Sequence, residues 1–167
     1  ALIVVHIFGN ISNLIQIKKI CNKFKLYLIE DAAEAFGSRF QNKHAGNFGI
    51  ASAYSFNGNK IISTGAGGAI ATNDNRLATK IKHLSTTSKL THKFQYIHDQ
   101  VGFNYRMPNI NASLGISQIN RIEKFISQKR KLHKLYANLF KNLEDVELLT
   151  ENENCHSNYW LNCIIFN

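Results

Sequence analysis

Apolar residues follow two different patterns, and segments of the two kinds alternate along the chain. Short apolar runs that end in a polar residue or a glycine predict β-strands at residues 2–7, 25–29, 51–56 and 68–72. Stretches with apolar residues three or four positions apart predict helices at residues 12–23, 32–36 and 75–84, the first of them capped by Asn10 or Ser12. Strands and helices that alternate in this way are typical of an α/β protein.

The order of these elements predicts how the strands pair. Residues 2–29 form a β-α-β unit, whose two strands are expected to be parallel. Gly67 and Gly68 stand between two short apolar runs and favour an antiparallel hairpin. Residues 85–101 are polar and aperiodic, which predicts a long and functional loop. Residues 109–139 have helical periodicity and predict one long helix or two shorter ones, with Pro108 near the start.

Composition narrows the classes of function. The 167 residues suffice for one domain with a hydrophobic core. No run of apolar residues approaches the ~18 that a membrane helix needs. Residues 1–9 are apolar but lack the basic residues that begin a signal peptide. The net charge of +9 is spread along the chain, and its richest basic run lies on an amphipathic helix, so we expect no nucleic-acid partner. Three cysteines without a CxxC pair favour a reduced, cytoplasmic setting and no zinc site. Because both ends lie inside apolar runs, we expect a fragment of a longer polypeptide.

Polar residues beside the predicted strands suggest cofactor chemistry. Asp31 follows an apolar strand, at the edge where α/β sheets bind ligands, and Lys60 lies between the strand that ends near Ser55 and a glycine-rich turn. An enzyme that uses pyridoxal phosphate (PLP) needs a lysine amine for the cofactor's aldehyde and a carboxylate for its ring nitrogen, and a serine hydroxyl could bind its phosphate. Taken alone, Asp31 could instead cap a helix, Lys60 could be an exposed loop lysine and Ser55 a strand-end serine.

Four motifs, in family order, resemble those of the DegT/DnrJ-type sugar aminotransferases. Residues 28–38 resemble the family's motif at the cofactor nitrogen, and residues 46–49 resemble its turn before the lysine strand. Residues 55–68 resemble the lysine motif, and residues 102–107 resemble the segment that these dimeric enzymes lend to the neighbouring subunit. Residues 5–10 also fit, so the resemblance extends over essentially the whole chain.

This resemblance implies a fold and an activity. The fold is the type I aminotransferase fold, whose large α/β domain has a mixed, mostly parallel sheet flanked by helices. The chain would hold the later part of that PLP-binding domain (residues 1–108), a long helical connection (109–141) and the start of the small C-terminal domain (142–167). The activity is transfer of an amino group from glutamate to a nucleotide-linked sugar, in a homodimer with shared active sites.

The resemblance also implies roles for individual residues. Lys60 would be the catalytic lysine that binds PLP and moves the proton, Asp31 would pair with the ring nitrogen and Ser55 would bind the phosphate. Asn104 would reach the phosphate in the neighbouring subunit's site. Glu34, where most members have Gln or His, would lie near the cofactor ring.

Glu34 and the sequence from Phe56 to Lys60 resemble one branch in particular. That branch aminates UDP-4-keto-6-deoxy-N-acetylglucosamine on the way to bacillosamine or legionaminic acid. One alternative is a family dehydratase that has lost the lysine, usually to histidine, and Lys60 counts against it. Another is a truncated, inactive remnant or interaction module of the same fold. His6 is either a neighbour of the ligands or a structural residue, and His98 and Arg106 have no assigned role.

Overall fold

The computed structural model describes residues 1–166 of the chain. Over these residues the strands and helices follow in the order β1 (Leu2–Val5), α1 (Leu14–Lys23), β2 (Leu28–Asp31), β3 (Arg39–Phe40), β4 (Lys43–His44), β5 (Ala51–Ser55), β6 (Gly68–Ala71), α2 (Asn75–Ser85), α3 (Asn109–Ile119), α4 (Ile122–Phe140), β7 (Val146–Leu148), β8 (Cys155–His156) and β9 (Ile164–Phe166).

The main sheet has four strands in the spatial order β1-β2-β5-β6. The first three are parallel and β6 is antiparallel to β5, which confirms the mixed α/β sheet, the β-α-β unit and the antiparallel pairing near Gly67 and Gly68. Val5, Asp31 and Ala53 lie side by side in the register. The carboxyl ends of the three parallel strands therefore form one edge, where ligands bind in such sheets.

Helix α1 packs on one face of this sheet. Its N-cap is Asn13, whose side chain accepts a hydrogen bond from the backbone N–H of Gln16 at 3.2 Å. The predicted caps are wrong because both are engaged elsewhere: Asn10 donates to the carbonyl of Thr150, and Ser12 donates to that of Val5. The buried core that α1 shares with the sheet and the neighbouring segments consists of Val4, Ile11, Leu14, Cys21, Leu28, Ala32, Ala35, Phe40 and Ala45.

Strand β2 begins later than predicted and continues through Asp31. Lys25, the predicted first residue, has a φ of +52° in the left-handed region and belongs to the turn after α1, so it cannot start a strand. Leu28 is the first residue of β2, and Asp31 is the last. The shift places Asp31 inside the hydrogen-bonded ladder, where the sheet fixes its backbone.

The predicted helix at residues 32–36 is wrong. This segment forms two successive turns, in which Ala35 donates to the carbonyl of Ala32 at 3.0 Å and Ser38 donates to that of Ala35 at 2.9 Å. The side-chain amide of Asn158 donates to the carbonyls of Glu34 and Phe36, at 2.9 and 3.0 Å. Since a distant residue satisfies these carbonyls, the segment does not need helical hydrogen bonds.

The second half of the chain is helical and then returns to the first half. Helices α3 and α4 are separated at residues 120–121, so the long periodic stretch is two helices. The predicted loop at residues 85–101 has no strand and carries isolated bridges within the described part of the chain. Strand β8 pairs with β3 in a separate three-stranded sheet, β4-β3-β8, which brings residues 155–160 back to the segment that follows β2. The domain limits at residues 108 and 141 stay a prediction.

No helix in the described part of the chain is both long and apolar enough to cross a membrane.

Candidate cofactor site

Asp31 ends β2 at the carboxyl edge of the sheet. One oxygen, Oδ1, accepts a hydrogen bond from the backbone N–H of Ala33 at 3.1 Å, which closes the first turn after the strand. No helix follows, so the alternative that Asp31 is a helix cap is wrong. Within residues 1–166, no basic side chain lies within 4.0 Å of this half-buried carboxylate. Its negative charge is therefore available to a cationic ligand.

Ser55 ends the neighbouring strand β5. Ala53, two residues earlier, is paired with Asp31, so Ser55 lies just beyond Asp31 along the same edge. Its Oγ accepts a hydrogen bond from the backbone N–H of Asn57 at 3.3 Å. The hydroxyl proton can still be donated, which suits an anionic oxygen such as that of a phosphate.

Lys60 is not an exposed loop lysine, because its side chain is only 13% exposed. The backbone N–H of Lys60 donates to the carbonyl of Asn57, so the lysine sits on a tight turn after β5. Its Nζ lies 3.6 Å from Oε1 of Glu34 and 3.9 Å from the ring centroid of Trp160. The amine is thus placed between a carboxylate and an aromatic face.

Glu34 contacts the lysine in this structure. Its Oε1 faces Lys60, and its Oε2 accepts a hydrogen bond from the backbone N–H of Phe8 at 2.7 Å. Phe8 lies in the short helical turn that follows β1, so Glu34 links the ends of β1 and β2 to the lysine loop. The predicted position near a cofactor ring stays a prediction; the contact with the lysine amine is what the structure adds.

Glu30 is the buried support beneath the site. It is fully buried, and its carboxylate accepts hydrogen bonds from the backbone N–H groups of Gly46, Phe48 and Gly49, at 2.7, 2.6 and 2.6 Å. His6 Nε2 lies 3.1 Å from its Oε2. Burial raises the pKa of Glu30, but the hydrogen bonds from His6 and the three N–H groups outweigh it, so the pKa lies below its ordinary value. His6 is fully buried and engaged with Glu30, which makes it a structural residue here.

Asn104 is placed away from these residues. It lines a separate cavity of about 920 Å³ between β6, α2 and residues 104–108, together with Arg106. Asp31, Ser55 and Lys60 do not line that cavity. The structure therefore brings three predicted site residues to one edge, adds Glu34 through its contact with the lysine, and leaves Asn104 elsewhere within its own chain.

His98 belongs to the loop that precedes Asn104. Its Nδ1 lies 2.7 Å from the carbonyl of Thr87, and His98 forms an isolated bridge with Lys89. These contacts hold the loop together and give His98 no place beside Lys60.

Two residues of the site were not predicted. Trp160 lies under the Lys60 amine, and Asn158 holds the turns that carry Glu34. Asn158 precedes the apolar run near the end of the chain and Trp160 lies within it, about a hundred residues after Lys60. One sequence feature could have indicated them. The chain's single tryptophan follows directly after Ser157, Asn158 and Tyr159, and such a polar pair is an unusual start for an apolar strand.

The groups at this edge match those of one cofactor. A largely buried amine can bind the aldehyde of PLP, a carboxylate that has no basic partner among residues 1–166 can pair with its pyridinium nitrogen, and a serine hydroxyl can bind its phosphate. The fit rests on the low exposure of the Lys60 side chain and on the charge of Asp31 at the carboxyl edge of a mostly parallel sheet. Fold and site together define a PLP-binding α/β protein.

The chain belongs to the DegT/DnrJ/EryC1/StrS aminotransferase family, whose model matches residues 1–167. It is similar to the GDP-perosamine synthase of Escherichia coli O157:H7, with 38% identity over 165 residues that cover 99% of this chain and 44% of the relative. The chain thus spans less than half the length of that curated relative.

Solved structures show the same relationship. The Helicobacter pylori PseC, an aminotransferase involved in the biosynthesis of pseudoaminic acid, superposes with a TM-score of 0.93 at 29% identity, over 99% of this chain and 45% of that one. An E. coli GDP-4-keto-6-deoxy-D-mannose-3-dehydratase with bound hydrated PLP superposes with a TM-score of 0.87 at 25% identity, over 99% and 46%. These similarities confirm the type I PLP fold and the cofactor that the sequence predicted.

Proposed function

We propose that the protein containing this chain transfers an amino group from glutamate to a nucleotide-linked 4-keto-6-deoxy sugar, and so makes an amino sugar for surface glycan synthesis. The observation that carries the proposal is the largely buried Lys60 amine at the sheet edge that also bears Asp31 and Ser55. Family membership supports transamination, and the name of the E. coli relative supports a nucleotide-sugar acceptor.

The roles of the residues follow from their chemistry. When bound, PLP supplies the electron sink that allows the Cα proton of the amino donor to be removed. Lys60 would anchor the cofactor through Nζ and, once displaced by the donor, would carry that proton as base and then as acid. Asp31 would keep a proton on the pyridine nitrogen by opposite charge, and Ser55 would donate its hydroxyl proton to the phosphate.

Asn104 would complete the site of a second copy of the chain. Its position in a cavity that Lys60 does not line is consistent with a residue that serves a neighbouring subunit. The active unit would then be a homodimer in which each site takes residues from both copies.

The resemblance around Glu34 and the lysine motif favours UDP-4-keto-6-deoxy-N-acetylglucosamine as the acceptor, whereas the E. coli relative is named for a GDP-linked sugar. The test supplies the full-length protein with PLP, glutamate and either the UDP-linked sugar or GDP-4-keto-6-deoxymannose, and identifies products by mass spectrometry. We expect amination with preference for the UDP-linked sugar. Preference for the GDP-linked sugar would refute only the assignment to the UDP-sugar branch. Loss of water from the sugar, or no amination of either sugar by PLP-loaded protein, would refute the proposed aminotransferase activity.

The lysine assignment has its own test. Borohydride reduction of the PLP-loaded protein should fix the cofactor on a single lysine, and peptide mapping should identify Lys60. Lys129 is a matched control because it lines the same small cavity as Lys60, of about 320 Å³. Lys129→Ala should still be labelled at Lys60, whereas cofactor fixed on Lys129 or another lysine of the wild-type protein would show that the motif was misassigned.

A further inference from the structure

A three-residue segment, Asn158–Trp160, contacts both loops of the site. Asn158 is fully buried, and its side-chain amide donates to the carbonyls of Glu34 and Phe36 at 2.9 and 3.0 Å. Its Oδ1 accepts a hydrogen bond from the backbone N–H of Trp160 at 2.8 Å. One side chain therefore joins the turn that carries Glu34 to the backbone of Trp160.

Trp160 in turn contacts the lysine loop in two ways. Its indole Nε1 donates to the carbonyl of Asn59 at 2.7 Å, next to Lys60 in sequence. The face of its ring lies 3.9 Å from the Lys60 Nζ, within the range of a cation–π contact. The buried ring thus fixes the backbone before the lysine and also receives its amine.

Helix α4 anchors this segment through hydrogen bonds. Lys129 Nζ donates to the carbonyl of Trp160 at 3.1 Å, and Arg130 donates to that of Ser157 at 2.8 Å. Arg130 also forms a bidentate pair with Glu151, at 2.7 and 2.8 Å, which fixes the start of the return segment. The backbone of the residue whose ring lies beneath Lys60 is therefore held to a helix by hydrogen bonds.

We propose that Trp160 is a positioning residue, whose ring and the Glu34 carboxylate hold the Lys60 amine in the site whenever it is not bound to the cofactor. The proposal rests on the proposed role of Lys60, which must be released and recaptured in each cycle. A free lysine side chain has four flexible bonds, and holding it near one orientation keeps it within reach of the proton that it moves. Asn158 fixes the separation of the carboxylate and the ring.

Accessibility of the amine tests this idea without any turnover. The full-length protein, freed of PLP, is treated with formaldehyde and cyanoborohydride, and the methylation rate of Lys60 is compared with that of the exposed Lys18 in the same sample. Trp160→Leu should raise the relative rate about 3-fold to 30-fold, the range expected when a cation–π contact is lost. Trp160→Phe keeps an aromatic face and should stay within about 2-fold of the wild type.

A second pair of variants covers the case in which Trp160→Leu does not fold, as judged by circular dichroism. Glu34→Gln keeps the shape of the side chain, removes the charge, and should also speed methylation of Lys60. Glu123→Gln is its control, since Glu123 is 71% exposed, pairs with Arg39, and should leave the Lys60 rate unchanged.

The proposal is overturned if Trp160→Leu and Glu34→Gln both leave the Lys60 rate at the wild-type value, or if Trp160→Phe reacts as fast as Trp160→Leu. The expected methylation pattern in a protein that aminates no sugar would refute the proposed function and leave the positioning role intact.

Discussion

Replacing Glu30 with glutamine should destabilise the full-length protein by about 3 to 5 kcal/mol, the loss expected when one partner of a buried charged network is removed. Glu30 is fully buried, and the substitution changes neither the length nor the shape of the side chain. The effect therefore isolates the charge and the acceptor capacity of the carboxylate from its packing.

The magnitude follows from counting the donors that the carboxylate satisfies. Oε1 accepts from Phe48 and Gly49, and a glutamine oxygen placed there could keep both bonds in weaker, uncharged form. Oε2 accepts from Gly46 and His6, and a glutamine NH₂ group in its place would face the Gly46 N–H donor to donor. A buried donor left unsatisfied costs about 1 to 3 kcal/mol, and a hydrogen bond to a charged group contributes about 1.5 to 3 kcal/mol.

Urea unfolding of the wild-type protein and the variant provides the measurement, with equal m-values as the check that both unfold to the same extent. Glu123→Gln is the matched control: it removes an exposed ion pair with Arg39, which contributes at most about 1 kcal/mol. A loss in Glu30→Gln no larger than that of the control would refute the view that this carboxylate supports the site.

Three further predictions concern pH, the cofactor nitrogen and the dimer. Because the folded-state pKa of Glu30 is lowered, the stabilisation by its carboxylate is present at neutral pH and is lost progressively as the pH falls below about 4.5. The urea midpoints of the wild type and Glu30→Gln should therefore converge in acid. A difference that stays constant with pH would contradict this. Asp31→Asn should still bind PLP yet turn over about 100 to 1,000 times more slowly. A kcat near the wild-type value would show that Asp31 does not pair with the pyridine nitrogen. Lys60→Ala co-expressed with Asn104→Ala should regain activity, since one site of each hybrid dimer carries neither lesion; no recovery in hybrids confirmed by mass would exclude a shared site.

The parts of the fold that the sequence predicts correctly depend on local patterns. The strands β1, β5 and β6 coincide with short apolar runs, and β2 lies close to its predicted place but is shifted towards Asp31. Asp31 and Ser55 are the polar residues that end β2 and β5 at the carboxyl edge. The sequence leaves open whether residues 109–139 form one long helix or two, because helical periodicity continues across a short break between helices.

The parts that were wrong or missed depend on contacts between residues far apart in the chain. Ala32–Phe36 has helix-forming residues, but Asn158 binds the Glu34 and Phe36 carbonyls from the other end of the chain. Helix propensity depends only on the residues of the segment itself, so it contains no information about a partner this far away in the chain. The contact of Trp160 with Lys60 spans a similar distance, and its geometry is visible only once β8 has returned to β3.

These distant contacts determine when the lysine environment can form during synthesis of the protein. Strands β1, β2, β5 and β6 all lie within residues 2–71 of the chain and can pair as soon as those residues are available. Asn158 and Trp160 are made much later, and the loop that they close spans about a hundred residues, so its closure is slow relative to local pairing. A nascent chain can therefore possess the sheet while Lys60 still lacks its ring and the turn of Glu34 lacks its amide donor. In such an early chain the Lys60 amine would be unconfined, and it should become confined only after the return segment has docked.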